Sequence, residues 1–200
     1  MILALDSAST DLSVAVADAD GSPLVVDGWS VGPRQAHELL PRLLDALQRA
    51  GGTLQDVTGI SVGSGPGSFT GLRVGMSVAK GLAFALSRPM VGVRSLEAWL
   101  ASEPDALGAA SRAGAREAYL LVRGEREPRV VDRDQLAAVG ARLVAPAELA
   151  EAFELRGSLQ PLRAAAAVAA AASVQLRANP AGDDLDLLEP VYVRAPRGIG

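Results

Sequence analysis

The chain has 200 residues and a formal net charge of −4 at pH 7; 49% of its residues are hydrophobic and only 4% are aromatic. This length and composition predict one or two globular domains whose core is packed mainly with Leu, Val and Ala. The absence of cysteine excludes disulfides, thiolate metal sites and cysteine nucleophiles. The net negative charge argues against a broad nucleic-acid-binding face on the chain alone.

The start of the sequence does not read as a signal peptide. The stretch from Met1 to Asp6 lacks a basic region and reaches a carboxylate too early for a signal peptide. No window of about 20 residues is both apolar and free of charge, so no membrane span or membrane contact is expected. The sequence therefore predicts a soluble cytoplasmic protein.

The first half of the chain predicts a mixed α/β fold of the ribonuclease-H-like type. Three short strands joined by turns should form an antiparallel meander, followed by helix, strand, helix and strand. The expected ranges are 2–5, 12–17 and 24–30 for the meander, then helix 35–50, strand 58–62, helix 72–86 and strand 90–93. Pro41 is expected in the first turn of its helix, because deeper inside it would remove a hydrogen bond.

The second half gives a weaker pattern after a boundary near residues 103–105. We expect two ribonuclease-H-like lobes with mixed sheets flanked by helices, a complete one over residues 1–103 and a smaller one over residues 104–200. The expected elements are helix 95–102, strands 117–122, 129–131, 141–145 and 190–194, and helices 146–153 and 162–178. The last helix is rich in alanine, so it should pack closely back toward the first lobe.

Residues 63–75, which read GSGPGSFTGLRVG, contain five glycines, four in the turn between a strand and a helix and one in the first turn of that helix. Such a turn is either an anion cradle at a helix N-terminus or a tight turn that needs glycine for its geometry. Its spacing matches neither GxGxxG nor GxxxxGK[ST], so both interpretations stay open. Ser68 or Thr70 is expected to cap the helix.

Gly71, Gly75, Ala79 and Ala83 recur every fourth residue along that helix and line one face with small side chains. This stripe allows close approach of another backbone, either that of the chain's own sheet or that of another subunit. Val74, Val78 and Leu82 form a neighbouring apolar face.

Polar residues follow the first strand in the turn DSAST. In nucleotide-binding proteins of the actin-like ATPase superfold, a hairpin there holds phosphate and a metal-bound water. Ala8 stands here where glycine would let the backbone close on a phosphate, so Asp6 is either part of such a site or a turn-capping residue. The candidate phosphate-site residues, as a degenerate site, are Asp6, Ser9, Thr10, Gly65, Gly67 and Ser68.

No catalytic or metal site is expected from the remaining polar residues. His37 is the only histidine and has no second imidazole to complete a helical metal pair. No nucleophile-elbow motif accompanies it, so a polar contact near a helix N-terminus is favoured. The acidic pairs Glu148/Glu151 and Asp183/Asp184 are assigned to a helix surface and a loop.

Five segments together resemble the TsaB (YeaZ) family, dimerization subunits of the bacterial tRNA threonylcarbamoyladenosine complex. The most specific reads GSGPGSFTGLRVGMSVAKGLA over residues 63–83. The others are ILALDSAST at the N-terminus, HELLP at 37–41, GVRSLE at 92–97 and PVYVR at 190–194. One departure is that the Asp-Ala-Arg stretch usual in the family reads Gly-Ala-Arg here, ending at Arg116.

The resemblance implies a non-catalytic paralogue of TsaD, the subunit that transfers the threonylcarbamoyl group. It implies no cofactor for this chain, with ATP or ADP and metal belonging to partner subunits. The implied partners are a TsaD-like catalytic subunit, a TsaE-like ATPase, a second copy of the chain when it is alone, and tRNA only through the complex. The rival interpretations are an ATP-dependent actin-fold phosphotransferase and a metallopeptidase-like enzyme.

In that family, pairing uses the helices that start near His37 and after Thr70, which form a four-helix bundle with the partner. The expected interface residues are His37, Leu40, Leu44, Leu47, Gly71, Arg73, Val74, Gly75 and Val78.

Overall fold

The structure is a computed structural model that describes residues 1–30, 36–139, 142–155, 161 and 163–193. The strands are β1 (Ile2–Asp6), β2 (Asp11–Ala17), β3 (Pro23–Ser30), β4 (Gly59–Gly63), β5 (Met90–Val93), β6 (Gly108–Arg112), β7 (Ala118–Val122), β8 (Arg129–Val131) and β9 (Leu143–Val144). The α-helices are α1 (Ala36–Arg49), α2 (Phe69–Leu86), α3 (Ser95–Ser102), α4 (Arg133–Ala138), α5 (Ala147–Ala152) and α6 (Ala164–Ala178).

The first sheet has the strand order β3-β2-β1-β4-β5. β1, β2 and β3 form the antiparallel meander, while β4 lies parallel to both β1 and β5. This arrangement confirms the ribonuclease-H-like α/β fold. A second mixed sheet follows in the order β8-β7-β6-β9, in which only the β6–β9 pair is parallel.

The two faces of the first sheet differ in side-chain size. Leu3 and Leu5 of β1 belong to the cluster that α1 and α2 cover. Ala4, Ala15 and Ala17 point to the opposite face, where α6 covers them with its own alanines. Since successive residues of a strand point to opposite faces, the alternation of large and small residues in β1 and β2 separates these two layers.

Several local expectations need correction. Pro41 lies inside α1, beyond its first turn; it is exposed, so water can reach the carbonyl group left without a partner. Residues 190–193 are irregular instead of forming a strand. β6 and α4 were not predicted. Positions 35, 141, 162 and 194 of the expected elements lie outside the described residues, and the division into lobes 1–103 and 104–200 stays a prediction.

Among the described residues, α2 is the one helix that is long and apolar enough, by length and composition, to cross a membrane. Core helices of soluble proteins meet the same criterion. α2 carries Arg73 and Lys80, and its Gly71, Gly75, Ala79 and Ala83 are buried in the fold.

Candidate functional site

The β1–β2 turn and the glycine-rich loop pack directly against each other. A Cβ atom at Gly67 would overlap the carbonyl group of Ala8. The backbone N–H of Ser68 donates to that same carbonyl oxygen at 2.6 Å. From the second sheet, Ser111 Oγ donates to the carbonyl oxygen of Pro66 at 2.7 Å. The backbone of the chain itself therefore fills the space beside this part of the loop.

The loop also bonds to the start of α3. Gly65 has φ +98°, a left-handed conformation that favours glycine. Its N–H donates to Ser95 Oγ at 3.1 Å, and its carbonyl accepts from the Ser95 N–H at 2.9 Å. Ser68 Oγ accepts from the Gly71 N–H at 3.2 Å, so Ser68 caps α2 as one of the two expected residues. These intramolecular bonds favour the tight-turn interpretation over the anion cradle.

The hydroxyl groups of the hairpin are partly engaged. Ser9 Oγ accepts from the Asp11 N–H at 3.0 Å and donates to the Asp11 carbonyl oxygen at 3.1 Å, which closes the turn. Thr10 is half-buried beside it. Sequence reasoning missed Asp11, although the run Ser-Thr-Asp is a turn signal. Its buried carboxylate accepts from Ser30 Oγ in β3 and from the Ala147 N–H at the start of α5.

Asp6 is fully buried at the end of β1. Its Oδ1 accepts from the Ala8 N–H at 3.1 Å, whereas its Oδ2 has no hydrogen-bond partner among the described residues. Burial raises the pKa of the Asp6 carboxyl above its usual value, and the Ala8 N–H and the Ser95 and Trp99 side chains oppose this shift. Asp6 thus lies close to the loop but faces the protein interior.

No group of three or more His, Cys, Asp or Glu side chains among the described residues is placed to hold a metal ion. His37 is exposed near the start of α1. The structure therefore brings Asp6, Gly65, Gly67 and Ser68 into one neighbourhood, but it does so through direct packing of the turn against the loop.

α1 and α2 lie side by side and divide their residues between the core and the outside. Leu39, Leu43 and Leu47 of α1 are buried. Leu40 is 37% exposed, and Leu44 is half-buried. The assignment of Leu47 to a partner surface is therefore corrected, because its side chain belongs to the core of this chain.

The small-residue stripe of α2 packs inside the chain. A Cβ atom at Gly71 would overlap the Ser7 carbonyl oxygen, and one at Gly75 would overlap Ser7 Oγ. Ser7 Oγ also donates to the Gly71 carbonyl oxygen at 2.8 Å. Gly71 and Gly75 were expected at a partner surface; they instead let α2 approach the β1–β2 turn, so they are removed from that surface.

Bulky apolar residues remain on the outer side of the helix pair. Val74 and Val78 are half-buried, with one part of each side chain against the core cluster and the other exposed. Phe84, which the sequence analysis did not select, is 83% exposed. The sequence did contain a clue to it, because Phe84 is an aromatic residue that lies outside the stripe of small residues on α2. We define the α1/α2 outer surface as Leu40, Leu44, Val74, Val78 and Phe84.

Charged and aromatic groups flank this surface. On one side the Arg73 guanidinium lies 4.0 Å above the Phe69 ring, and its Nε donates to Tyr192 Oη at 3.4 Å. Arg73 is exposed. It also contacts the segment that follows α6 through Tyr192. On the other side the Arg42 guanidinium stacks on Trp29 at 4.3 Å and pairs with Asp27 at 3.3 Å.

Comparison with known proteins places this geometry in a family. The family model TsaD, described as tRNA N6-adenosine threonylcarbamoyltransferase, matches residues 32–156, more than half of the chain. The chain belongs to this family.

Within the family the chain is TsaB-like, which confirms the resemblance found in the sequence. The tRNA threonylcarbamoyladenosine biosynthesis protein TsaB of Escherichia coli K12 is 41% identical over 96 residues, covering 48% of this chain and 40% of that protein. The structure of YeaZ from Pseudomonas aeruginosa superimposes with a TM-score of 0.71 at 28% identity, covering 96% of this chain and 99% of that one.

The TsaD side of the family is also similar. The tRNA N6-adenosine threonylcarbamoyltransferase of Syntrophus aciditrophicus is 47% identical over 69 residues, covering 34% of this chain and 20% of that protein. In each of these curated relatives, the match spans less than half of the relative's own length.

Proposed function

We propose that this chain is a non-catalytic subunit in the formation of threonylcarbamoyladenosine next to the tRNA anticodon. It binds and supports a TsaD-like catalytic subunit through the α1/α2 outer surface. That surface is the observation that carries the proposal. ATP or ADP and metal belong to the partner subunits, a TsaE-like ATPase joins the assembly, and tRNA is contacted through the complex.

The apolar character of the surface supports a protein partner. Leu40, Val74 and Val78 lie on neighbouring helices with part of each side chain in water, and Phe84 is exposed further along α2. Contiguous exposed apolar residues rimmed by polar groups mark protein interaction sites. A two-fold contact is self-complementary, so a homodimer of the isolated chain and a heterodimer with a paralogue of the same fold can use the same two helices.

The packing of the hairpin supports a role without nucleotide turnover by this chain. A phosphotransferase needs donors free to reach a phosphate, yet the Ser68 N–H is bonded to Ala8 and the Ser9 hydroxyl is bonded within its own turn. The metallopeptidase interpretation has less support, because a chain with one histidine and no cysteine offers no imidazole pair or thiolate.

The test is binding to the catalytic subunit by a variant of the outer surface. Val78→Arg places a charge on that surface, and we expect at least about 10-fold weaker binding in titration calorimetry, because a buried unpaired charge is costly. Leu24→Arg, on the exposed edge strand β3, is the matched control and should bind normally. The isolated chain, incubated with ATP and Mg²⁺, should show no turnover.

Two results would overturn the proposal. One is a folded Val78→Arg protein that binds the catalytic subunit with unchanged affinity and supports tRNA modification fully. The other is ATP turnover by the purified chain without its partners.

A further inference from the structure

Asp6 is a buried acidic residue that has no role in the proposed function. It ends β1 and lies opposite Ser13 of β2 in the antiparallel register. Its side chain is fully buried, and a Cβ atom at Gly63 would overlap its Oδ2 while lying 2.6 Å from Ser95 Oγ. Asp6 Oδ2 and Ser95 Oγ therefore border the same small space above Gly63.

The surroundings of Asp6 supply no compensating charge. Among the described residues it has no ion-pair partner, and Gly63 brings only backbone toward it. The charged residues of the first turn of α3 pair elsewhere: Arg94 lies 3.4 Å from Glu97 and 2.8 Å from Glu127. An ionised carboxylate buried without a cation is costly, and the usual outcome is that the group stays neutral.

The other elements packed around Asp6 bring no further free charge toward it. Ser13 Oγ is engaged with the Ala165 N–H of α6, and Arg163, at the start of that helix, is exposed. Asp11, the other buried acid of the hairpin, accepts hydrogen bonds from Ser30 and Ala147.

The polar atoms near Asp6 can bond to either protonation state of its carboxyl group, and burial without a cation favours the neutral state. The Trp99 indole Nε1 is buried and, like Asp6 Oδ2, has no partner among the described residues. The side chains of Ser95 and Trp99 are both close enough to affect the pKa of Asp6. A neutral carboxyl group offers one O–H donor and keeps acceptor capacity, so it can satisfy both a hydroxyl oxygen and an indole N–H.

We propose that Asp6 is a neutral carboxylic acid that links β1 to α3, donating its O–H to Ser95 Oγ and accepting the Trp99 indole N–H. Ser95 Oγ already accepts from the Gly65 N–H, so the same contact ties the glycine-rich loop to this link. Ionisation of Asp6 leaves a charge buried without a cation beside α3, whose Trp99 packs in the cluster shared with the second sheet, so it destabilises the folded chain. The position expected to belong to a phosphate site thus becomes a structural, pH-dependent contact.

The sign of the pH dependence follows from the raised pKa. The unfolded chain releases the Asp6 proton near its ordinary pKa of 3.8, while the folded chain keeps it to higher pH. The folded state therefore binds more protons in the interval between the two pKa values, and stability falls as pH rises through that interval. Below the unfolded pKa the contribution of Asp6 to stability is fully present.

The direct test is the pH titration of the Asp6 carboxyl carbon by NMR in the full chain labelled at aspartate. Asp6→Asn identifies the signal, keeps a neutral group of the same shape, and should remove the pH-dependent loss of stability. We expect the melting temperature of Asp6→Asn relative to the wild type to rise by at least ~3 °C between pH 4 and pH 8. Asp186→Asn, on an exposed residue, should show no such rise.

Trp99→Phe removes the indole N–H and should shift the pKa of the Asp6 carboxyl further upward, because a hydrogen-bond donor to the charged form is lost. If Asp6→Asn does not fold, the wild-type titration decides alone. An Asp6 carboxyl that titrates at or below its ordinary range in the folded chain would overturn the proposal. So would an Asp6→Asn protein that gains no stability relative to the wild type as pH rises. Either result leaves the proposed partner role unaffected, since that role is measured by binding.

Discussion

The two faces of the first sheet are covered by helices that look alike in sequence but have different outer sides. α2 and α6 each turn small residues inward: Gly75 and Ala79 are buried under α2, and Ala165 and Ala169 are buried under α6. α6 rests on alanines of β1 and β2, while α1 and α2 cover leucines of the same strands. A small-residue stripe therefore marks close packing within this chain on both faces.

The difference between the two layers lies on the side away from the sheet. The outer side of α6 carries Ala170, Val174, Gln175 and Arg177, while Leu176 is half-buried against the cluster beneath the helix. The outer side of α2 carries Val74, Val78 and Phe84. Because bulky apolar side chains anchor interfaces and alanine does not, the outer residues of α2, and not its glycines, distinguish the layer that we propose to bind a partner from the layer of α6.

The largest expected effect comes from filling the inward stripe of α2. In Gly75→Ala the new methyl group would overlap Ser7 Oγ and lie about 3.1 Å from Leu5 Cδ1. We expect a loss of about 1–3 kcal/mol of unfolding free energy, since overpacking outweighs the gain of about 1 kcal/mol in helix propensity. Gly81→Ala is the matched control on the same helix, because its Cβ would meet nothing within 4 Å. It should stabilise the chain slightly.

Urea unfolding of both variants measures this difference. Adding Ser7→Ala to Gly75→Ala removes the overlapping hydroxyl, so the double variant should lose less than the sum of the two single losses. Equal stability of Gly75→Ala and Gly81→Ala would mean that the stripe does not pack against the hairpin. A partner would then be the better explanation for its small residues.

The elements of the first sheet were predictable because β-branched and leucine-rich runs alternate with clear turn and helix signals. In the second sheet, β6 reads GAASR, which has weak strand propensity and becomes a strand through its pairing with β7 and β9. α4 carries a local signal that was overlooked, the Asp132–Gln135 capping box. At Pro41 the local signal and the structure disagree in the opposite way. Proline disfavours the interior of a helix, yet α1 continues past Pro41 because the helix packs on the rest of the chain.

The candidate site was only partly predictable for a related reason. Ser68 caps α2 through a hydrogen bond to Gly71, only three residues away, so the local sequence is enough to predict the cap. The environment of Asp6 depends on Ser95 and Trp99, which are far away along the chain and reach it only once α3 has packed. The likeness to actin-like ATPases grouped Asp6 with the glycine-rich loop, but it could not reveal which way the carboxyl group faces.

An intermediate effect is expected at the start of α6. Ser13 Oγ, from β2, accepts from the Ala165 N–H at 2.7 Å, and the residue before the helix supplies no side-chain cap. Ser13→Ala leaves that buried N–H without a partner and should cost about 1 kcal/mol. Ser77→Ala, on the exposed side of α2, should change the unfolding free energy by less than about 0.5 kcal/mol. Equal midpoints for the two variants would show that β2 does not hold the end of α6.

The last pair of substitutions, at exposed positions of α2 and α6, should change stability least and should show the largest difference in binding between the two helix layers. Phe84 is 83% exposed on α2 and Val174 is 58% exposed on α6, so replacing either with serine should alter the unfolding free energy by no more than about 0.5 kcal/mol. Because aromatic anchors dominate interfaces, Phe84→Ser should weaken both self-association and binding to the catalytic subunit by about 10-fold, whereas Val174→Ser should change neither. Sedimentation velocity and titration calorimetry measure the two equilibria. If Val174→Ser weakened pairing as much as Phe84→Ser, the partner would contact both layers, and the contrast between their outer sides would have no bearing on assembly.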